Sequence, residues 1–267
     1  MLKDITIGQY FPVESVLHRM DPRFKIVFTV LFIVMLFSGN SIWTLAVGCA
    51  FVLMVQLLSK IPLKMSWRSI KPILPILIFT ALLNLLFIDS GEVLWKWKFI
   101  QITEGGITTS IFMICRIVLL IIGTSMLTYT TSPILLTDAI ESLMSPLKKI
   151  RFPVHEMAMM MSIALRFIPT LLEETDKIMS AQKARGASLD SGTAMQRIKA
   201  MIPILIPLFV SAFRRAEELA TAMECRCYRG GEGRTRLRQL KASARDYWGL
   251  LICLLFVAAS ITLNLLQ

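Results

Sequence analysis

Two histidines are all that this sequence of 267 residues contains, and they stand far apart, as His18 and His155. Imidazole is the commonest metal ligand and the commonest general base. Its scarcity argues against a metal path through the chain and against a Ser-His-Asp or His-Glu-x-x-His site. The five cysteines make no CxxC pair and no ligand spacing with histidine, and Cys49, Cys115 and Cys253 lie inside apolar runs. They read as reduced structural thiols, and no metal site is expected. Acidic residues are also in short supply, 18 against 29 lysines and arginines, for a net charge of +11. Pairs such as Glu173 and Glu174 fall on the polar side of a helical pattern and read as surface charge, not as a catalytic acid and base. The run Gly230-Gly231-Glu232-Gly233-Arg234-Thr235 lacks the lysine of a phosphate-binding loop and follows no apolar strand, so it reads as a helix stop and a basic loop. Met1-Leu2-Lys3-Asp4 lacks the basic-then-apolar pattern of a secretory leader, and no cleaved signal peptide is expected.

What the chain does have is apolar surface. Its hydrophobic content of 55% and mean hydropathy of +0.65 exceed those of ordinary soluble domains. An all-α integral membrane protein with about five spans is expected, because only helices and closed barrels satisfy every backbone group in hydrocarbon. The first span is Ile26–Phe37, lengthened by Arg23, Phe24 and Lys25, whose stems can lie along apolar surface. Ile42–Leu58, Pro72–Ile88, Ile107–Thr130 and Trp248–Leu266 follow, with Asp89–Gly106 as an interfacial loop. Arg116, inside the fourth span, is either a buried coupling residue or an arginine reaching back to the interface. The basic loop over residues 59–71 and the basic N-terminal segment place both on the cytoplasmic side by the positive-inside rule, which leaves the C-terminus outside. Eighteen of the lysines and arginines lie in residues 131–247, which have no unambiguous span. The chain therefore divides into residues 1–130 with four spans, a cytoplasmic-side domain over 131–247, and a last span over 248–267.

Within the basic domain two helical segments end alike. The first has Met157, Met160, Met161, Ala164, Ile168, Leu171, Thr175, Ile178 and Met179 on one stripe, with Arg166, Thr170, Glu173, Glu174 and Lys177 opposite. It closes on Ala184-Arg185-Gly186. The second sets Ala212, Phe213, Ala216, Leu219, Ala220, Met223 and Cys227 inward and Arg214, Arg215, Glu217, Glu218 and Thr221 outward, and closes on Cys225-Arg226-Cys227. The apolar stretch Met201–Phe213, with Pro203 and Pro207, reads as a membrane-embedded or groove-lining lead-in to it. Either arginine alone would be an ordinary basic cap beside the negative end of a helix. The repetition points instead to a guanidinium that forks onto another protein. Four methionines in the five residues Met157–Met161 are either gap-filling core or a surface that repacks around partners. The basic cluster Arg229, Arg234, Arg236, Arg238, Lys241 and Arg245 suits anionic headgroups just ahead of the last span. It has no interleaved aromatics for nucleic acid, which is not expected as a partner.

The ordered motifs Ser15-x-Leu17-His18-x-x-Asp21-Pro22-Arg23-x-Lys25, Ser132-Pro133, Ile140-Glu141-x-Leu143-x-x-Pro146-Leu147, Phe152-Pro153 and Arg166-Phe167-Ile168-Pro169 cover most of the chain together with the two arginine tips and Gly230-Gly231-x-Gly233-Arg234-Thr235. As a set they resemble the transmembrane T component of energy-coupling factor (ECF) transporters, the EcfT family. The resemblance implies a non-catalytic coupling subunit of an ATP-driven importer of vitamins or other micronutrients. In it the long helices act as coupling helices. The tips Ala184, Arg185, Gly186 and Cys225, Arg226, Cys227 would insert into two cytoplasmic ATP-binding-cassette ATPase subunits. The methionine-rich face of Met157, Met160, Met161, Ala164 and Ile168 would meet a membrane-embedded substrate-binding S subunit. ATP and Mg would be bound by the ATPases, with no cofactor on this chain. The family usually has alanine and glycine or serine where Cys225 and Cys227 stand. The alternative reading of the residues is a membrane-embedded enzyme or assembly factor whose basic domain grips lipid.

Overall fold

The computed structural model describes residues 10–39, 41–88, 93–97, 100–187, 193–231 and 240–265. The architecture is all-α apart from one two-stranded hairpin, and residue contacts divide it into two compact units. The described part of one unit lies within residues 10–139 and 240–265, and that of the other within 140–231.

In the first unit, α1 (Pro22–Ser38) starts where Asp21 accepts a hydrogen bond from the Arg23 amide at 2.9 Å and Pro22 presets the first turn. α2 (Ile42–Ser59) is capped likewise by Ser41. The basic loop expected over 59–71 contains a short helix, α3 (Leu63–Ile70), and the expected third span begins later, as α4 (Leu74–Phe87). The two are bent by 59° around Pro72, whose ring cannot continue a helix. The expected interfacial loop instead holds an antiparallel hairpin, β1 (Val93–Trp97) with β2 (Ile100–Thr103), Trp95 opposite Ile102. Its β-branched and aromatic residues favour strand pairing, a signal that the charge pattern obscured. Asp89, Glu92 and Lys98 lie outside the described residues. α5 (Glu104–Thr130) starts three residues before the expected span because Thr103 accepts a hydrogen bond from Gly106, and α9 (Ala244–Leu265) closes the unit.

Among the described residues three helices are by length and composition able to cross a membrane, Ile42–Ser59, Glu104–Thr130 and Ala244–Asn264, or four if the bent α3–α4 pair is one span. The first expected span, α1, has 17 residues, about 25 Å against a hydrocarbon core of about 30 Å. It still belongs to the bundle. Phe32, Met35 and Leu36 of α1 join Phe51, Val52, Leu119 and Cys253 of α2, α5 and α9 in the main core, and Phe32 stacks on Phe51 at 5.2 Å between ring centres.

The opening motif of the chain is a polar knot on this bundle. The Lys25 ammonium, 5% exposed, donates to the Thr130 carbonyl at 2.9 Å and to Thr131 Oγ1 at 3.2 Å. Asp246, 1% exposed, accepts from the Asp21 amide at 2.9 Å and from the Ser243 amide at 2.7 Å. His18 spans Ser15 Oγ at 2.7 Å and the Phe11 carbonyl at 2.9 Å, and the Phe11 amide donates to the Tyr129 carbonyl at 3.0 Å. Burial pushes the His18 imidazole below its ordinary value, the hydrogen bond to Phe11 works the other way, and the Lys25 charge lowers it further. Arg116 proves to be an internal tie. Its Nη2 donates to the Gly39 carbonyl at 2.7 Å, and its guanidinium lies 5.0 Å from the Phe112 ring centre and 5.9 Å from that of Phe37.

The second unit is built on two long helices, α7 (Val154–Ala184) and α8 (Ala194–Cys225). α6 (Pro133–Leu143) and a 3₁₀ turn (Ser145–Ile150) precede them in the chain. The lead-in expected over Met201–Phe213 lies inside α8. α8 runs straight through Pro203 and Pro207 from a start at Thr193, whose amide donates to Gln196 Oε1 at 2.9 Å. Arg234, Arg236 and Arg238 of the basic cluster lie outside the described residues.

Candidate functional site

Both long helices end in the same backbone closure. At the end of α7 the Gly186 amide donates to the Lys183 carbonyl at 3.0 Å and the Ala187 amide to the Gln182 carbonyl at 3.0 Å. At the end of α8 the Cys227 amide donates to the Glu224 carbonyl at 2.9 Å and the Tyr228 amide to the Met223 carbonyl at 3.1 Å. These paired bonds define the Schellman closure, which needs a left-handed residue just past the cap. Gly186 fills that place with φ of +90°, and Cys227 does so with φ of +55°. Arg185 and Arg226 are the cap residues of their helices. Both are exposed, and neither makes a side-chain hydrogen bond or ion pair among the described residues. Ala184, Gly186, Cys225 and Cys227 flank them, all exposed, so each guanidinium rises from a low rim.

The helices run antiparallel, and what joins them is polar. The Glu174 carboxylate accepts from Arg215 Nη2 at 2.6 Å and from the Ser211 hydroxyl, with side chains 22% and 33% exposed for Glu174 and Arg215. This corrects the sequence expectation, which put both charges on solvated faces. Amphipathic periodicity assigns a residue to a side of its own helix, but a crossing of two helices buries only the few positions at the contact. A signal was present nonetheless. Glu174 precedes Arg185 by eleven residues, and Arg215 precedes Arg226 by the same eleven. Related helices that cross antiparallel bring equivalent positions together, and here those positions carry opposite charges. Each tip lies about 16 Å along its helix from the ion pair.

A second link offsets what Pro207 removes from α8. Pro207 has no amide proton for the Pro203 carbonyl four residues earlier. The Gln182 side chain supplies one at 3.3 Å. Gln182 is also the residue whose carbonyl closes the α7 tip, so that tip is tied to the proline-bearing turn of α8. Other expected inward residues face out. Phe213 is 73% exposed, and Ala216, Ala220 and Cys227 are exposed too, whereas Ser211, Arg215, Leu219 and Met223 are half-buried. On α7 the stripe divides. Met157, Met160, Met161 and Ala164 stand open, while Ile168, Leu171, Thr175, Ile178 and Met179 are half-buried. At the start of α7, His155 Nδ1 pairs with Glu141 at 3.1 Å, and the imidazole is covered by the Gly231 backbone.

The family model described as cobalt transport protein (CbiQ) matches residues 13–237. The chain is 55% identical over 246 residues to the energy-coupling factor transporter transmembrane protein EcfT of Ruminiclostridium cellulolyticum, covering 92% of each chain. It is 54% identical over 258 residues to the protein of that name from Acidaminococcus fermentans, covering 96% of each. The chain belongs to the EcfT family. The EcfT protein of Bacillus subtilis is also similar, 47% identical over 259 residues and 97% of each chain. The two helix tips of this EcfT-family member thus lie in a transmembrane component of a transporter, within the matched residues.

Proposed function

We propose that this chain is the coupling subunit of an ATP-driven ECF-type importer, in which Arg185 and Arg226 dock into grooves of two cytoplasmic ATPase subunits. The observation behind this reading is the duplicated tip: one closure, one exposed arginine without a side-chain partner among the described residues, and one distance from a shared ion pair, on both helices. ATP and Mg are held by the ATPases, and their closure moves the tips. A 31-residue helix such as α7 carries that motion over about 46 Å. The open methionine face of Met157, Met160 and Met161, with Ala164 and Ile168 beside it, meets a membrane-embedded S subunit that holds the vitamin or other micronutrient, and its flexible thioethers suit a contact that must repack. The N-terminus and the tip-bearing unit are cytoplasmic and the C-terminus is outside, which the distribution of lysine and arginine supports.

The test is recovery of co-expressed ATPase subunits on the tagged chain in detergent, for wild type, Arg185→Glu, Arg226→Glu and the double variant. Reversing a docked charge costs about 2–5 kcal/mol, and reversing a solvated cap less than about 1 kcal/mol. Each single variant should recover less ATPase and the double variant none. Equal recovery by all four sinks the assignment of the tips.

A further inference from the structure

We infer that the α8 tip engages its partner through a composite basic groove built from both long helices, and that the partner segment filling it carries carboxylates. The inference rests on the coupling reading above and names the chemistry of one of its two contacts. A groove of about 710 Å³ opens beside the α8 tip, lined by Arg226 and Arg229 after the helix and by Arg166 from α7. None of the three guanidinium groups makes an ion pair or side-chain hydrogen bond among the described residues, whereas Arg19, Arg214 and Arg215 each have a carboxylate partner. Gathering unpaired like charges on one groove works against stability unless an anion joins them. Met159, Ile163 and Leu219 add apolar surface to the same lining. A groove both basic and apolar suits an acidic amphipathic protein segment, which uses both, better than a headgroup phosphate, which uses only the charge. In this reading the α8 contact is made through three guanidinium groups, and the α7 contact through that of Arg185.

The experiment uses the full chain and its co-expressed ATPase subunits in detergent, at low and high salt, with Arg166→Glu, Arg166→Gln, Arg229→Glu, Arg226→Glu and Arg185→Glu. Arg166→Glu and Arg229→Glu should each lower ATPase recovery about tenfold at low salt, Arg166→Gln less, and the losses should shrink at high salt. Arg166→Glu combined with Arg226→Glu should fall short of the sum of the two effects, while its combination with Arg185→Glu should be additive, because only the first pair shares a groove. If Arg226→Glu abolishes recovery while Arg166→Glu and Arg229→Glu leave it intact, the coupling reading stands and the composite groove is overturned. If none of the variants alters recovery, the coupling reading itself has failed and the groove with it. If the Arg166 and Arg229 variants lose binding of phosphatidylglycerol to the solubilised chain but recover ATPase normally, the groove serves lipid phosphate, which also overturns the inference.

Discussion

Arg185 and Arg226 cap their helices through the same pair of backbone hydrogen bonds, yet the residues that follow them differ. Gly186 takes its φ of +90° with no Cβ to crowd, while Cys227 takes +55° with one in place. An L-residue in that region costs roughly 1 kcal/mol. The α8 tip thus keeps its closure against a local penalty, which shows that the backbone geometry is required at both ends even where the residue best suited to it is absent. Their surroundings differ as well. A Cβ built at Gly186 of the α7 tip would meet nothing within 4 Å among the described residues, and the α8 tip is followed by a segment folded onto the first turn of α7, with Gly231 against His155.

Both tips depend on the ion pair where their helices cross. Glu174→Ala strips a half-buried guanidinium and a hydroxyl of their acceptor at once and should cost about 2–3 kcal/mol, read as a lower thermal midpoint of the purified chain, with both tips affected alike. Gly231→Ala should separate them. Its Cβ would lie 2.5 Å from His155 Cδ2, so the ring must move at a cost of about 1–3 kcal/mol. Hydrogen exchange should rise around the α8 tip and not around the α7 tip. Gly186→Ala, free of steric neighbours, should cost only the backbone penalty of about 1 kcal/mol. Cys227→Gly should do the reverse and stabilise by about 0.5 kcal/mol, the relieved strain less the extra freedom of glycine when unfolded. If the two substitutions have the same sign, the tips do not share a closure in solution.

The smallest effect lies in the other unit and serves as a control. His18 is held neutral by burial, so the unfolded chain binds more protons near pH 6 than the folded one does. The stability contributed by the Ser15–His18–Phe11 contacts is present above the ordinary histidine value of about 6.5 and is lost as pH falls through the lowered folded value. Exchange at the Phe11 amide should quicken on acidification and lose that pH dependence in His18→Gln, with neither tip responding.

Much of this was legible in the residues. The ends of α7 and α8 follow from arginine between small residues at the close of an amphipathic run, and the start of α1 follows from Asp21-Pro22 ahead of an apolar run. The hairpin over residues 93–103 was hidden because charged and aromatic residues read equally well as an interfacial loop. The link that supports the proline-bearing turn of α8 was hidden, because the Gln182 side chain, which satisfies the carbonyl that Pro207 leaves open, is distant in sequence.

By itself the sequence determined the membrane class, the pair of basic helix tips and the EcfT resemblance, since periodicity, composition and capping are local and each residue carries its own share of them. Tertiary structure decided which charges are surface and which are not. Glu174 and Arg215 belong to the crossing, Lys25 and Asp246 to the bundle, and Arg116 to the end of α1. The free energy of a charge depends on what displaces water from it, and that neighbour comes from elsewhere in the chain.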